Sequence, residues 1–223
     1  MAVRTRWRTV RHDCTNILTE RQMQRPRLKI VRRLGTVLPG LTRKDVRGKS
    51  NASGAHGATA RRRISGYGQR LLEKQKVRWH YGISERQLQA VFDEASRQQG
   101  ARGERLLALL ERRLDSVVFR LGFAPTIPAA RQLVGHGHVR VNGVRVDRAG
   151  FRVSPGDAIR VSDRARRIPD VASAVERGPE VRLPAWLALD PDDRGHGRVT
   201  GQPARADVPF IVDETAIVEF YAR

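Results

Sequence analysis

The side chains best suited to chemistry in this 223-residue chain are concentrated between positions 131 and 145. This segment contains Arg131, His136, His138, Asn142 and Arg145, and it contains no aspartate or glutamate. Guanidinium, imidazole and amide groups together suit phosphates and shaped polar surfaces such as folded RNA. Because the segment lacks any catalytic grouping, its residue types predict binding without chemistry.

A metal site is one alternative interpretation, since the chain has six histidines. His136 and His138 flank a single glycine, but no His-Glu-x-x-His motif or His/Cys cluster accompanies them. Two ligands are fewer than the three or four that a protein zinc site uses. The single cysteine, Cys14, excludes an internal disulfide and a cysteine-rich zinc site. We therefore predict that the protein holds neither a metal nor a cofactor.

A catalytic aspartate is a second alternative, because Arg113-Leu114-Asp115 is similar to the Arg-Leu-Asp sequence of pseudouridine synthases. Those enzymes often carry a related RNA-binding module. Apolar periodicity places Asp115 on the polar face of a helix, where an ion pair is the expected role. Since no stretch long enough for a separate catalytic sheet domain remains, we predict that the protein is not an enzyme.

Two short helices and a hairpin are predicted to position these groups. Apolar residues recur with the three- and four-residue spacing of an amphipathic helix at Leu106, Leu110, Leu114, Val117 and Leu121. A second helix is predicted after Thr126, a candidate N-cap, with Pro128 in its first turn. Asn142-Gly143 between alternating valines is a strong hairpin signal.

The flanking segments are predicted to be helical before this module and mixed after it. Ser84-Glu85-Arg86-Gln87 is a capping-box pattern that begins a helix. Residues 190–205 predict a loop, and the apolar groups at 210–212 and 216–220 predict strands. Together the patterns predict an α+β fold with a helical domain, a small αα-hairpin and β-sheet module, and a basic extended N-terminal arm.

The charge balance indicates a polyanionic partner. The chain has 43 Lys and Arg against 23 Asp and Glu, a net charge of +20. Residues 1–78 contain 21 basic and 4 acidic side chains, a net of +17, whereas the rest has only +3. Of the basic residues 38 are arginine, which fits RNA binding and fits a GC-rich genome equally well. No run of 18 apolar residues exists, so no membrane partner is expected.

Several long segments carry a family resemblance: IVRRLGTVLPGLTRK (30–44), EKQKVRWHYGISERQL (73–88), LLERRLDSVVFRLGFAPTIPAARQLVGHGHVRVNG (109–143), FRVSPGDAI (151–159), LPAWLALD (183–190) and IVEFYAR (217–223). In this order they resemble bacterial-type ribosomal protein four of the small subunit. Many family members hold zinc through four N-terminal cysteines, and this chain resembles the cysteine-free branch. Residues 1–24 are an unmatched extension, either a mis-assigned start or a lineage-specific arm.

The resemblance implies a structural constituent of the small ribosomal subunit that binds its rRNA early and nucleates assembly of the body. It also implies contact with ribosomal protein five, a place near the mRNA entrance channel and a part in translational accuracy. The implied location is on the ribosome in the bacterial cytoplasm or, alternatively, in an organelle. The implied domains are a basic rRNA-binding arm at 25–64, a helical domain at 65–101 completed by 183–223, and an RNA-binding module at 102–182.

The expected rRNA-binding residues combine the basic N-terminal third with the polar cluster of the module. They are Lys29, Arg32, Arg33, Arg62, Arg63, Arg70, Lys74, Lys76, Arg78, Arg113, Arg120, Arg131, Gln132, His136, His138, Asn142 and Arg145. By family analogy, the residues expected to approach mRNA are Arg43, Lys44, Arg47 and Lys49. Two other functions remain open from the sequence: an RNA-modifying enzyme with an appended binding module, and a free RNA-binding factor that rescues stalled particles.

Overall fold

The computed structural model of the protein describes residues 27–43 and 64–222, which form helices and one antiparallel sheet. The first six helices are α1 (Arg27–Leu34), α2 (Gly66–His80), α3 (Glu85–Ser96), α4 (Arg102–Glu111), α5 (Leu114–Arg120) and α6 (Ile127–Gly135). The later elements are β1 (Val139–Val141), β2 (Val144–Val146), β3 (Ala158–Val161), α7 (Asp163–Arg166), α8 (Pro169–Arg177), β4 (Leu187–Leu189), β5 (His196–Val199), a 3-10 helix (Arg205–Asp207) and α9 (Glu214–Tyr221). The predicted α+β class is confirmed. No helix in these two ranges has the length and apolarity needed to span a membrane.

Three local signals of the sequence are confirmed at the ends of these elements. Ser84 and Gln87 form the predicted capping box of α3, with the Ser84 hydroxyl accepting from the Gln87 amide at 3.2 Å. Thr126 caps α6 by accepting from a backbone amide three residues later, also at 3.2 Å. Asn142 and Gly143 have φ values of 50° and 80°, which suits the two-residue turn that joins β1 to β2.

The helix predicted over 106–121 is two helices, α4 and α5, with a break between them. Arg113 has an extended backbone, with φ −66° and ψ 139°, and forms a β-bridge with Arg152. The amide of Leu114 donates to the carbonyl of Phe151 at 2.8 Å, so a distant segment satisfies backbone groups at the break. The apolar spacing continues across the break because both helices bury their apolar residues. The spacing alone therefore does not reveal the break.

The apolar side chains of the two described ranges form two cores, and the chain passes from the first core to the second at this break. The core of the helical unit (described residues of 27–111 together with 203–222) is formed by α1, α2, α3, α4, α9 and the segment before α9. The core of the sheet unit (residues 112–202) lies between the five-stranded sheet and helices α5 to α8. Fully buried side chains include Leu88 and Ile217 in the first core and Phe123 and Ile159 in the second. Each contributes about 1.5–3 kcal/mol through burial.

The division between the cores differs from the expected domain boundaries in two places. Helix α4 lies in the expected RNA-binding module, but its Leu106, Leu107 and Leu110 are buried in the core of the helical unit. Strands β4 and β5 lie in the segment expected to complete the helical domain, but they extend the sheet of the sheet unit. Local patterns do not encode these assignments, because each depends on packing against residues far away in the chain.

Residues 27–43 form an ordered part of the fold instead of an extended arm. Helix α1 buries Ile30 in the core of the helical unit. Gly40 has φ +74°, and a Cβ there would lie 2.5 Å from the ring of Phe119, so only glycine fits against the sheet unit. The carbonyl of Gly40 accepts from the amide of Ile127 at 2.8 Å. The prediction of an extended arm is therefore wrong for this stretch.

The C-terminal segment also differs from the predicted pair of strands. Asp213 caps α9 by accepting from the amide of Ala216 at 3.1 Å, and Ile217 is fully buried in the helical unit. The sheet instead takes β5 from the stretch predicted as a loop, and Gly197 of β5 lies directly against the side chain of Leu121. Short apolar runs do not distinguish strand from helix. The N-cap and the packing partner decide the outcome here.

Candidate nucleic-acid interface

The end of α6 and the β1–β2 hairpin bring four predicted residues together on one surface, the α6–hairpin corner: Gln132, His136, His138 and Arg145. All four are at least partly exposed. The Arg145 guanidinium donates to the carbonyl of His136 at 3.3 Å, and the rings of His136 and His138 are 6.2 Å apart. Gly137 has φ +71°, and a Cβ there would overlap the Arg145 guanidinium. Glycine at this position therefore permits the close approach that forms the corner.

The surroundings of the corner favour an anion. Burial lowers the pKa of His138 from 6.5, and the neighbouring His136, Arg164 and Arg145 lower it further. Within the described ranges, none of the four corner residues is paired with a carboxylate. A phosphate placed here would offset the neighbouring cations and favour the protonated imidazole. In the same ranges no three His, Cys, Asp or Glu side chains are close enough together to hold a metal ion.

Asn142, which was also predicted to contact RNA, fixes the turn of the hairpin. Its side-chain amide donates to the carboxylate of Asp157 at 2.8 Å, and its side-chain carbonyl accepts from the amide of Ala158 at 2.9 Å. Its backbone has φ +50°, a left-handed conformation that asparagine tolerates better than most residues. Both polar ends of the side chain hold the hairpin next to β3. Asn142 is exposed, and its contact with RNA stays a prediction.

The outer face of the sheet presents three exposed arginines that sequence patterns alone did not indicate: Arg140, Arg160 and Arg198. The strand order is β2-β1-β3-β5-β4, and the inner face covers the core. Arg140 is paired in register with Arg145 on β2 and with Arg160 on β3, so the three side chains share one face. The two-residue turn was a signal for the first pairing. The pairing with β3 is non-local and had no such signal.

Arg120, a predicted RNA contact, is buried with a carboxylate. Its guanidinium donates to both carboxylate oxygens of Glu111 at 2.9–3.1 Å and to the carbonyl of Asp207 at 2.9 Å. The Tyr81 hydroxyl donates to the same carboxylate at 2.6 Å. Burial raises the pKa of Tyr81, and the charge of Glu111 raises it further. The Arg120 side chain is 2% exposed, so it offers no surface to a phosphate and the prediction is wrong.

A second buried network accounts for Arg113 and Arg131. Asp115 accepts from Arg113 at 2.7 and 3.0 Å and from Arg131 at 2.9 and 3.2 Å. Arg131 also donates to the carbonyls of Tyr81 and Gly82, so the network joins the two units. Asp115 is the expected ion-pair partner, although it is fully buried and not on a polar face. We exclude Arg113 from the interface, whereas Arg131, with 29% of its side chain exposed, lies at the edge of it.

The basic face predicted on α2 is paired with carboxylates of the helical unit. The pairs are Arg70–Glu219 at 2.7 Å, Lys74–Glu85 at 2.7 Å, Lys76–Glu73 at 2.6 Å and Arg78–Glu85 at 3.6 Å. Lys74 is the most buried of the four, and its ammonium lies 4.1 Å from the centre of the Phe220 ring. These carboxylates offset the charge of the helix locally. We therefore leave the α2 face outside the corner, and its contacts with rRNA stay predictions.

The remaining predicted cations lie near the N-terminus. Lys29 and Arg33 on α1 are exposed. Arg32 is half-buried, and its buried Nε has no hydrogen-bond partner among the residues that the structure describes. Arg43 pairs with Asp170 at 3.2 Å at the surface. The contacts predicted for residues outside the described ranges stay predictions, and these residues are Lys44, Arg47, Lys49, Arg62 and Arg63.

Both units of the chain match known protein families. Residues 22–111 match the ribosomal protein S4/S9 N-terminal domain, and residues 112–159 match the S4 domain. The boundary between the two matches coincides with the break between α4 and α5 and with the division between the two cores.

Bacterial relatives match the chain over most of its length. Small ribosomal subunit protein uS4B of Nitrosomonas europaea is 48% identical over 198 residues, which cover 88% of this chain and 96% of the relative. Small ribosomal subunit protein uS4 of Synechococcus elongatus is 50% identical over 198 residues, with 89% and 96% covered. These matches confirm the resemblance seen in the sequence, and the chain belongs to the uS4 family of small ribosomal subunit proteins.

Proposed function

We propose that the protein is a structural constituent of the small ribosomal subunit that binds its rRNA through the α6–hairpin corner. The supporting observation is one surface, at least partly exposed, that combines Gln132, His136, His138 and Arg145, and none of them is paired with a carboxylate of residues 27–43 or 64–222. Membership of the uS4 family supports the same role, together with a ribosome-bound location in the bacterial cytoplasm. Since the family is structural and non-enzymatic, the protein acts by binding alone.

The corner provides two kinds of interaction that folded RNA requires. Arg145 supplies a permanent charge and can bind one phosphate through two N–H groups. Gln132 and His136 supply hydrogen-bonding groups for sugar hydroxyls and base edges. His138 adds a charge only when it is protonated, so RNA binding is coupled to proton uptake at this residue. The phosphate contacts set the position of the protein on the RNA, and the shape of the corner selects which RNA fold it binds.

A matched pair of isosteric variants tests the corner. Gln132→Glu places a negative charge in the corner, and Gln89→Glu places the same charge at an exposed position on α3. In filter-binding titrations with small-subunit rRNA, we expect Gln132→Glu to weaken binding about three- to tenfold, because the carboxylate repels phosphate. Gln89→Glu should bind as the wild type does. Equal affinities of the two variants would show that the corner does not contact rRNA.

We further propose that the protein binds rRNA early and nucleates assembly of the subunit body. Exposed cations occur on both units, with Lys29 and Arg33 on α1 and Arg145 at the corner. The buried ion pair of Arg120 with Glu111 and the hydrogen bonds from Arg131 to the carbonyls of Tyr81 and Gly82 join the units. Contacts from both units would therefore hold several RNA helices in a fixed relative orientation. Order-of-addition reconstitution tests this role: adding the protein last should lower the yield of complete particles. An unchanged yield would contradict nucleation.

The finer partners are proposals of the same kind. We propose contact with ribosomal protein five, a contribution to accuracy, and an approach of Arg43, Lys44, Arg47 and Lys49 to mRNA. Arg43 is exposed beside Asp170, which leaves its guanidinium within reach of a neighbouring molecule. Arg43→Glu together with Lys44→Glu should slow unwinding of structured mRNA by reconstituted ribosomes. Unchanged unwinding would count against the mRNA contact. If this protein does not co-purify with ribosomal protein five, that result would count against the proposed contact with protein five.

A further inference from the structure

The outer face of the sheet aligns like charges across neighbouring strands. Arg145 on β2, Arg140 on β1 and Arg160 on β3 are paired in one register row, and all three are exposed. His196 on β5 continues the row, because it is paired with Arg160. Like charges directly opposite each other destabilise a sheet, and Arg140 has such a neighbour on each side. The free protein therefore keeps an arrangement that costs stability.

Carboxylates offset this row only weakly. In the described ranges, the one carboxylate paired with its arginines is Asp163, which lies 3.7 Å from Arg160 and has a side chain that is 83% exposed. Ion pairs this exposed contribute little. At the other end, Asp190 contacts His196 at 3.1 Å, so the positive row ends at β5. Arg140, in the middle, remains the least compensated of the three arginines.

The surroundings of the row leave space for an extended ligand. Arg198 lies on the same face in register with Ala158 and Ala188, and these two small side chains keep that part of the face flat. At the opposite side the row joins the α6–hairpin corner through Arg145, which belongs to both. Neighbouring strands are about 4.8 Å apart, so the row from β2 to β5 spans about 14 Å.

We propose that this outer face is a second RNA-binding surface, on which a phosphodiester backbone runs across the strands and the arginines bind its phosphates. Because the row shares Arg145 with the corner, this surface depends on the proposed function. Arginine binds phosphate through two N–H groups, and its long side chain does not require phosphates to match the strand spacing. An acidic protein segment would meet the same charges, but continuity with the corner favours RNA.

Arg140→Glu is the sharpest test, because it has opposite effects on the free protein and on the complex. A glutamate between Arg145 and Arg160 replaces two repulsions with two attractions, so the unfolding temperature of the free protein should rise by about 2–4 °C. In filter binding to small-subunit rRNA, affinity should fall roughly tenfold, and the slope of log affinity against log salt should become shallower by about one. Arg140→Lys keeps the charge and should retain most of the affinity.

Arg177→Glu is the matched control, since Arg177 is exposed at the end of α8, which packs on the apolar side of the sheet unit. It changes the net charge equally and should leave rRNA affinity close to that of the wild type. If Arg140→Glu binds rRNA with wild-type affinity and salt dependence, the sheet face is not an RNA surface, and an acidic protein becomes the partner to test. If the wild type itself does not bind small-subunit rRNA, the proposed function fails instead.

Discussion

The arginines at the junction of the two units and those on the sheet face have opposite surroundings. At the junction, Arg120 is buried against Glu111, and Arg113 is buried against Asp115. On the sheet face, Arg140 has an arginine on each neighbouring strand and no paired carboxylate within the described ranges. The positive charge of the chain is therefore divided between holding the units together and offering charge to a ligand. Net charge alone does not separate the two uses.

The two locations also differ in what a substitution should cost. Removing one partner of a buried ion pair leaves an uncompensated charge in the interior, which costs about 3–5 kcal/mol. Replacing an exposed arginine of the sheet face with a neutral side chain changes stability by only about 0.5 kcal/mol or less. Substitutions at the junction should therefore change mainly the free energy of unfolding, and substitutions on the sheet face should change mainly RNA affinity.

The largest effect is expected at the junction. Arg120→Met leaves the carboxylate of Glu111 buried without its cation, so the free energy of unfolding should fall by about 3–5 kcal/mol. Urea denaturation followed by circular dichroism measures this change. The double variant Arg120→Met with Glu111→Leu should recover part of the loss, because it buries no unpaired charge. A single variant as stable as the wild type would contradict the buried network.

Acid should weaken the same junction through His80. Burial, followed by the charge of Arg120, lowers the pKa of His80 from 6.5 to about 3. Between those values the unfolded chain binds a proton that the folded protein does not, so stability falls as pH falls through this window. The contribution of His80 is about 1.4 kcal/mol for each pH unit. Denaturation of His80→Leu at several pH values should show a correspondingly shallower decline, and an unchanged decline would contradict this assignment.

A smaller effect is expected for Arg145 at the α6–hairpin corner, and it concerns rRNA affinity instead of stability. Arg145→Met removes one exposed cation that is paired in register with Arg140. We expect rRNA affinity to fall about three- to tenfold, or about 0.7–1.4 kcal/mol, with no loss of stability. Filter binding and thermal unfolding of the same preparation measure both quantities. A fall in stability without a change in affinity would show that Arg145 stabilises the fold and does not bind rRNA.

The smallest effect is expected on α2, where the sequence predicted phosphate contacts. Arg70 pairs with Glu219, and the two side chains are 24% and 53% exposed. Arg70→Gln should therefore lower the free energy of unfolding by about 0.2–1 kcal/mol and leave rRNA affinity unchanged. Urea denaturation and filter binding provide the two measurements. An affinity loss as large as that of Arg145→Met would return the α2 face to the interface.

The correct predictions from the sequence rest on interactions between near neighbours. The capping box at Ser84, the cap at Thr126 and the Asn142-Gly143 turn each need only a few consecutive residues. The α6–hairpin corner was predictable for the same reason, since its residues lie within 132–145 and a two-residue turn brings them together. The break between α4 and α5, by contrast, depends on a distant bridge to Arg152.

By itself, the sequence determined the family, the basic excess in the first 78 residues and the local geometry of the corner, because each is encoded in contiguous residues. Only the tertiary structure decided which basic residues remain available to a ligand. Arg120 meets a carboxylate nine positions away, Arg131 one sixteen positions away and Arg70 one 149 positions away. Electrostatic pairing depends on distance in space and on burial, and packing of the two units sets both.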